Sequence, residues 1–100
     1  MKATRHGRTH KIEVGHVTLY ITVNRDSTGK LREVFCKANE GYQGDADGLA
    51  ELSSLLLQHG CPPEKLIRHL RYRRYVPNGL PGQPCSISDA IGTIIERELK

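Results

Sequence analysis

The sequence has no tryptophan, one phenylalanine and one methionine among its 100 residues, so any core it forms must be built largely from aliphatic side chains. Its three cysteines, Cys36, Cys61 and Cys85, stand far apart. That spacing excludes the Cys-x-x-Cys pairs of zinc knuckles and thiol–disulfide centres, and it is too sparse for the disulfide framework of a small secreted domain. Free thiols in a reducing compartment are expected, with Cys36 packed as a small hydrophobe. No apolar run approaches the roughly 18 residues that cross a bilayer. The basic segment from Met1 to Lys11 lacks the apolar stretch of a secretory signal, and a cytoplasmic protein is expected. Acids are missing in one place of note, the stretch from Lys65 to Tyr75.

What is present suits one folded domain. Hydrophobic residues make up 37% and charged residues 26% of the chain, the balance of a globular protein rather than a disordered one. A chain of this length has room for a single core. The formal net charge is +4, and the excess is clustered. Lys2, Arg5, Arg8 and Lys11 load the start; Lys65, Arg68, Arg71, Arg73 and Arg74 load the acid-free stretch. Clusters of this kind attract phosphate.

Residues 1–8 show no apolar periodicity and are expected to be a flexible basic arm, leaving residues 9–100 as the domain. Thr9 to Val14 reads as a short strand. From His16 to Asn24 the alternation is strict, with Val17, Leu19, Ile21 and Val23 on one face and Tyr20 among the polar residues of the other, the mark of a half-buried strand. A turn at Asp26–Gly29 leads to a third strand, Leu31 to Lys37, and the three form an antiparallel meander. The period then changes to that of a helix. Asp45 or Asp47 is placed to cap a helix whose apolar stripe is Leu49, Leu52, Leu55 and Leu56, and Gly60 to end it. Pro62 and Pro63 open a second helix with the stripe Leu66, Ile67 and Leu70. Prolines and glycines keep Tyr75 to Pro84 a loop. Ser86 caps a third helix, paired with Asp89, whose apolar face is Ile87, Ala90, Ile91, Ile94 and Ile95. The fold class expected is α+β: a three-stranded antiparallel meander followed by three helices packed on one face.

Several segments together resemble one family. Lys11 to Asn24, Arg32 to Phe35, Leu52 to Gly60, Pro63 to Leu70 and Ser86 to Ile91 are similar, in order and spacing, to the TSCPD domain found at the C-terminus of adenosylcobalamin-dependent ribonucleotide reductases, here as a stand-alone chain. The sequence that names that family stands here as Pro84-Cys85-Ser86-Ile87-Ser88-Asp89, without the cysteine pairs many members carry, so the resemblance implies no zinc site. The reductase barrel is absent from this chain, so it implies no reductase chemistry and no cofactor.

The strongest candidate site is the run from Arg68 to Tyr75. Read as helix, Arg68, Arg71 and Tyr72 share one side, as do Arg71, Arg74 and Tyr75, with Arg73 close by. Guanidinium groups grip phosphate through paired hydrogen bonds and a tyrosine ring offers a base a stacking surface. A weaker candidate is the loop from Asn39 to Gly44, where backbone N–H groups could meet an anion, although Glu40, Asp45 and Asp47 would repel one. The histidines at 6, 10, 16, 59 and 69 form no ligand pattern, and no catalytic constellation stands out. The expectation is therefore a non-catalytic nucleotide-binding or regulatory module, associated with a ribonucleotide reductase in trans or sequestering a nucleotide messenger as viral sponge proteins do. The alternatives are a protein-interaction module, most simply a homo-oligomer, and a nucleic-acid binder acting through its basic patches.

Overall fold

A computed structural model describes residues 6–39 and 41–100. Six elements occur in the expected order: β1 (His6–Val14), β2 (Val17–Arg25), β3 (Leu31–Ala38), α1 (Gln43–Gln58), α2 (Pro63–Leu70) and α3 (Ile87–Leu99). The strands pair antiparallel as β1-β2-β3, with Ile21 opposite both His10 and Cys36. The alternation read in β2 is realised: Val17, Leu19, Ile21 and Val23 are all buried, and Val14, Leu31, Val34 and Cys36 join them on the inner face. β1 begins earlier than the expected strand. His6, Gly7 and Arg8, expected in the arm, pair with Arg25, Asn24 and Val23, because β2 continues to Arg25 and offers them ladder hydrogen bonds. The rest of the arm, residues 1–5, lies outside the described residues.

α3 covers the inner face and is buried along most of its length, including Ile87, Ile91, Ile94 and Ile95. Its start matches the sequence reading, with Ser86 Oγ accepting from Asp89 N at 3.1 Å. α2 packs on α3 through Leu66, Ile67 and Leu70. The two helices close tightly at Gly92, where a Cβ would stand 3.0 Å from the Leu70 Cβ. α1 ends as a Schellman turn, with Gly60 N bonding Leu57 O and Cys61 N bonding Leu56 O, and Gly60 takes the positive φ that turn requires.

The body of α1 departs from the expectation. Its buried positions are Ala46, Ala50, Ser53 and Leu57, whereas Leu52, Leu55 and Leu56 are 60%, 51% and 44% exposed. The neighbouring strand explains this. α1 runs along the free edge of β3, and a stripe of its polar side chains bonds the backbone there. Gln43 accepts from Ala38 N at 2.8 Å and donates to Cys36 O at 2.9 Å; Ser54 Oγ accepts from Val34 N at 2.8 Å and donates to Val34 O at 3.1 Å; Gln58 donates to Arg32 O at 3.1 Å. Unmet strand-edge groups are costly when shielded from water, and these bonds set the rotation of α1 so that small residues face the core. The expected cap is also replaced: Tyr42 precedes the helix without a side-chain cap bond, and Asp47 accepts from Gln43 Nε2 at 2.7 Å.

Candidate functional site

α2 stops at Leu70, so the run from Arg68 to Tyr75 is not one helix. Arg71 is extended and Tyr72 has a φ of +67°, a conformation that a residue with a Cβ rarely adopts. Asp89, one turn into α3, imposes this path. Its Oδ1 accepts from Arg71 Nε at 2.7 Å and from Tyr72 N at 2.9 Å, and its Oδ2 accepts from Cys85 N at 2.8 Å. Arg71 also bonds Glu96. Burial alone would push the Asp89 carboxyl up, but the Cys85 and Tyr72 amides and the Arg71 guanidinium together hold it below the usual aspartate value. For Arg71, burial opposes the charge and the Asp89 and Glu96 carboxylates more than restore it.

The six expected ligand residues are therefore divided between roles and places. Arg68 lies exposed on α2. Arg71 is committed to its two carboxylates, and its guanidinium carbon sits 4.3 Å from the centroid of the exposed Tyr72 ring, a cation–π contact. Tyr75 is half-buried, and its hydroxyl accepts from Ser88 N at 3.0 Å, which satisfies an N–H of the first turn of α3. Arg73 and Arg74 remain exposed, with Arg73 Nε donating to His69 O. Arg71 and Tyr72 border an opening with Lys11 and Arg97. Arg73, Arg74 and Tyr75 line a separate cleft of about 550 Å³ with Leu49, His69, Leu70 and Ser88. The helical spacing that would align Arg71 with Arg74 and Tyr75 is lost where the chain leaves α2.

That second cleft carries two arginines, a histidine and no carboxylate among its described lining residues. Its one alcohol nucleophile is occupied, Ser88 Oγ donating to Leu70 O at 2.8 Å. The sequence reading gave no role to His69, which lies within the run itself, and missed Leu49, which comes from α1 and meets the arginines only in the folded chain. It also missed a wider opening, a groove of about 790 Å³ between α1 and the outer face of the sheet. Phe35, 55% exposed, lies there with Tyr20 and Leu55. The signal was present, since both aromatics fall on the outward positions of their strands.

Several of the remaining candidates make contacts within the fold. Asn39 Oδ1 accepts from Thr18 N at 2.9 Å, Gln43 caps the β3 edge, and Glu40 lies outside the described residues, so the loop from Asn39 to Gly44 reads as a connection. His10 bonds Glu98 at 2.7 Å and His59 Nδ1 donates to Leu55 O at 2.9 Å; the His6 side chain lies outside the described residues. Among the described residues, no group of three His, Cys, Asp or Glu side chains could hold a metal ion. Cys36 is buried, and burial, with the Asp47 carboxylate adding to it, pushes its thiol up to about 12. No helix among the described residues is long and apolar enough to cross a membrane.

The family model of the TSCPD domain matches residues 1–99 of the chain. No curated protein and no solved structure matches it.

Proposed function

Starting from the fact that this chain belongs to the TSCPD domain family, we propose that it is a non-catalytic module that binds a phosphate-bearing nucleotide in the cleft of His69, Arg73, Arg74 and Tyr75. The observation that carries this reading is the make-up of the cleft: two arginines and a histidine line it, with no acid among the described lining residues. Arg73 and Arg74 would grip the phosphate, by bidentate hydrogen bonds where geometry allows. Leu49 and the half-buried ring of Tyr75 would wall the base or sugar; the tyrosine hydroxyl is already bonded, leaving its ring for stacking. Arg71 has no part in this, because its guanidinium is held by Asp89 and Glu96. The bound Ser88 hydroxyl supports a binding role over a catalytic one. A nucleotide ligand suits either a role beside a ribonucleotide reductase or the sequestration of a nucleotide messenger.

Calorimetric titration with linear and cyclic nucleotides tests the proposal. The wild-type chain is expected to bind at least one at sub-millimolar concentration, and Arg73→Ala with Arg74→Ala to weaken it at least about tenfold, as two lost charge-assisted contacts would. Absence of heat at millimolar nucleotide, or unchanged affinity in the double variant, overturns it. Affinity confined to DNA or RNA and lost steeply with salt would instead support the nucleic-acid reading.

A further inference from the structure

The outward face of α1 is self-complementary. The polar stripe on the β3 edge and the small residues on the core leave a third face to solvent. Along it, at helical spacing, stand Asp45, Gly48, Leu49, Leu52, Leu55, Leu56 and the capping residue His59, all exposed except Leu49, which is half-buried. Soluble domains rarely leave so contiguous an aliphatic stripe uncovered. Its order has a symmetry centred on Leu52. When two copies of a helix lie antiparallel about a two-fold axis at that residue, each position faces the position equally far beyond the axis on the other copy. Asp45 then faces His59, Gly48 faces Leu56, and Leu49 faces Leu55. Each pairing is complementary: a carboxylate meets an imidazole, a side chain that protrudes meets a residue with none, and leucine meets leucine. His59 is exposed and its Nδ1 donates to Leu55 O, so in the imidazolium form its Nε2–H is the donor left for the Asp45 carboxylate.

We propose that this face is the interface of a homodimer in which two α1 helices pack antiparallel across a two-fold axis at Leu52. The charges around the stripe favour a second copy over a membrane surface, because Asp45, Asp47 and Glu51 would be repelled by anionic headgroups. α1 alone is about 24 Å long and would supply only part of the roughly 800 Å² per partner that a stable interface buries. The groove lined by Tyr20 and Phe35 continues the apolar surface beyond Leu55, and on the other flank Leu56 borders an opening with Lys65 and His69. The interface shares Leu49 with the cleft of the nucleotide reading, and its other six positions lie outside that cleft.

Sedimentation equilibrium on the full chain tests the proposal from micromolar to millimolar concentration. The wild type is expected to dimerise. Leu52→Glu, which sets two carboxylates against each other at the axis, is expected to weaken the dimer at least about 30-fold, the loss of a central hot-spot side chain. Leu52 is largely exposed, so circular dichroism of that variant should match the wild type. Asp45→Lys should weaken the dimer and Asp45→Lys with His59→Glu should restore it, a reversal that simple loss of apolar area would not give. A wild type that stays monomeric at millimolar concentration overturns the proposal. So does a dimer that Leu52→Glu leaves intact, or a charge exchange that fails to restore association.

Discussion

Removing the Asp89 carboxylate should be among the most damaging single changes in this chain. Its side chain is 4% exposed and it accepts three hydrogen bonds, from the Arg71 guanidinium and from the Tyr72 and Cys85 amides. Hydrogen bonds to a charged group contribute about 1.5–3 kcal/mol each, but Arg71 keeps Glu96 as a second partner and its side chain is 19% exposed, so water recovers part of the loss. A cost of about 3–4 kcal/mol follows for Asp89→Ala, against a total stability of about 5–15 kcal/mol for a domain. For a chain of this size that corresponds to a fall in Tm of about 12–25 °C. Asp89→Asn keeps the shape and one acceptor and should cost less. The pH dependence has a definite sign. Because the folded-state carboxyl is held below its ordinary value, its contribution is present in full above the unfolded aspartate pKa of about 3.9 and is lost as pH falls through the lowered folded value. Urea unfolding of wild type and Asp89→Asn at pH 7 and pH 3 should therefore show a stability gap that narrows in acid. A gap that widens in acid, or an Asp89→Ala cost under about 1 kcal/mol at pH 7, would refute the assignment of Asp89 as the hub of this turn.

Two further outcomes follow from the buried cysteine and from the strand edge. With its thiol pushed up to about 12, Cys36 should carry roughly one thiolate in ten thousand at pH 8; mass spectrometry after iodoacetamide treatment should find it unmodified in the folded chain while the half-buried Cys61 and Cys85 react, and equal labelling of all three would contradict its burial. Ser54→Ala removes both bonds to Val34 and should cost about 1–2 kcal/mol, with the Val34 amide exchanging faster by NMR; unchanged exchange there would mean that another group protects that edge.

The sheet and the last helix were legible because their signals are local. The alternation from Val17 to Val23 has only one face apolar enough to bury, and Ser86 with Asp89 marks a helix start three residues apart. α1 was legible as a helix but not in its rotation, because it carries two stripes of the same period. Leu52, Leu55 and Leu56 hold the larger side chains, yet Ala46, Ala50 and Ser53 are buried, since the β3 edge demands Gln43, Ser54 and Gln58 and no intrahelical rule announces that demand. The run from Arg68 to Tyr75 failed as a helix for a related reason. The group that ends it, Asp89, lies 18 residues beyond Arg71 in the chain, and composition near the arginines gives no sign of it. Which arginines stay free was therefore hidden, although the cluster itself was visible.

The side chains that α1 lays along β3 also govern how far association can run. A sheet with an open edge can recruit another strand, that strand a further one, and the product is a fibre with no natural end. Gln43, Ser54 and Gln58 occupy acceptors and donors on which such growth at β3 would depend, and the same rotation turns the leucines outward, where the proposed two-fold pairing would use them up in a single step. Turning α1 to bury the leucines would uncover the strand edge, exchanging the proposed pairing of two copies for an assembly that can propagate.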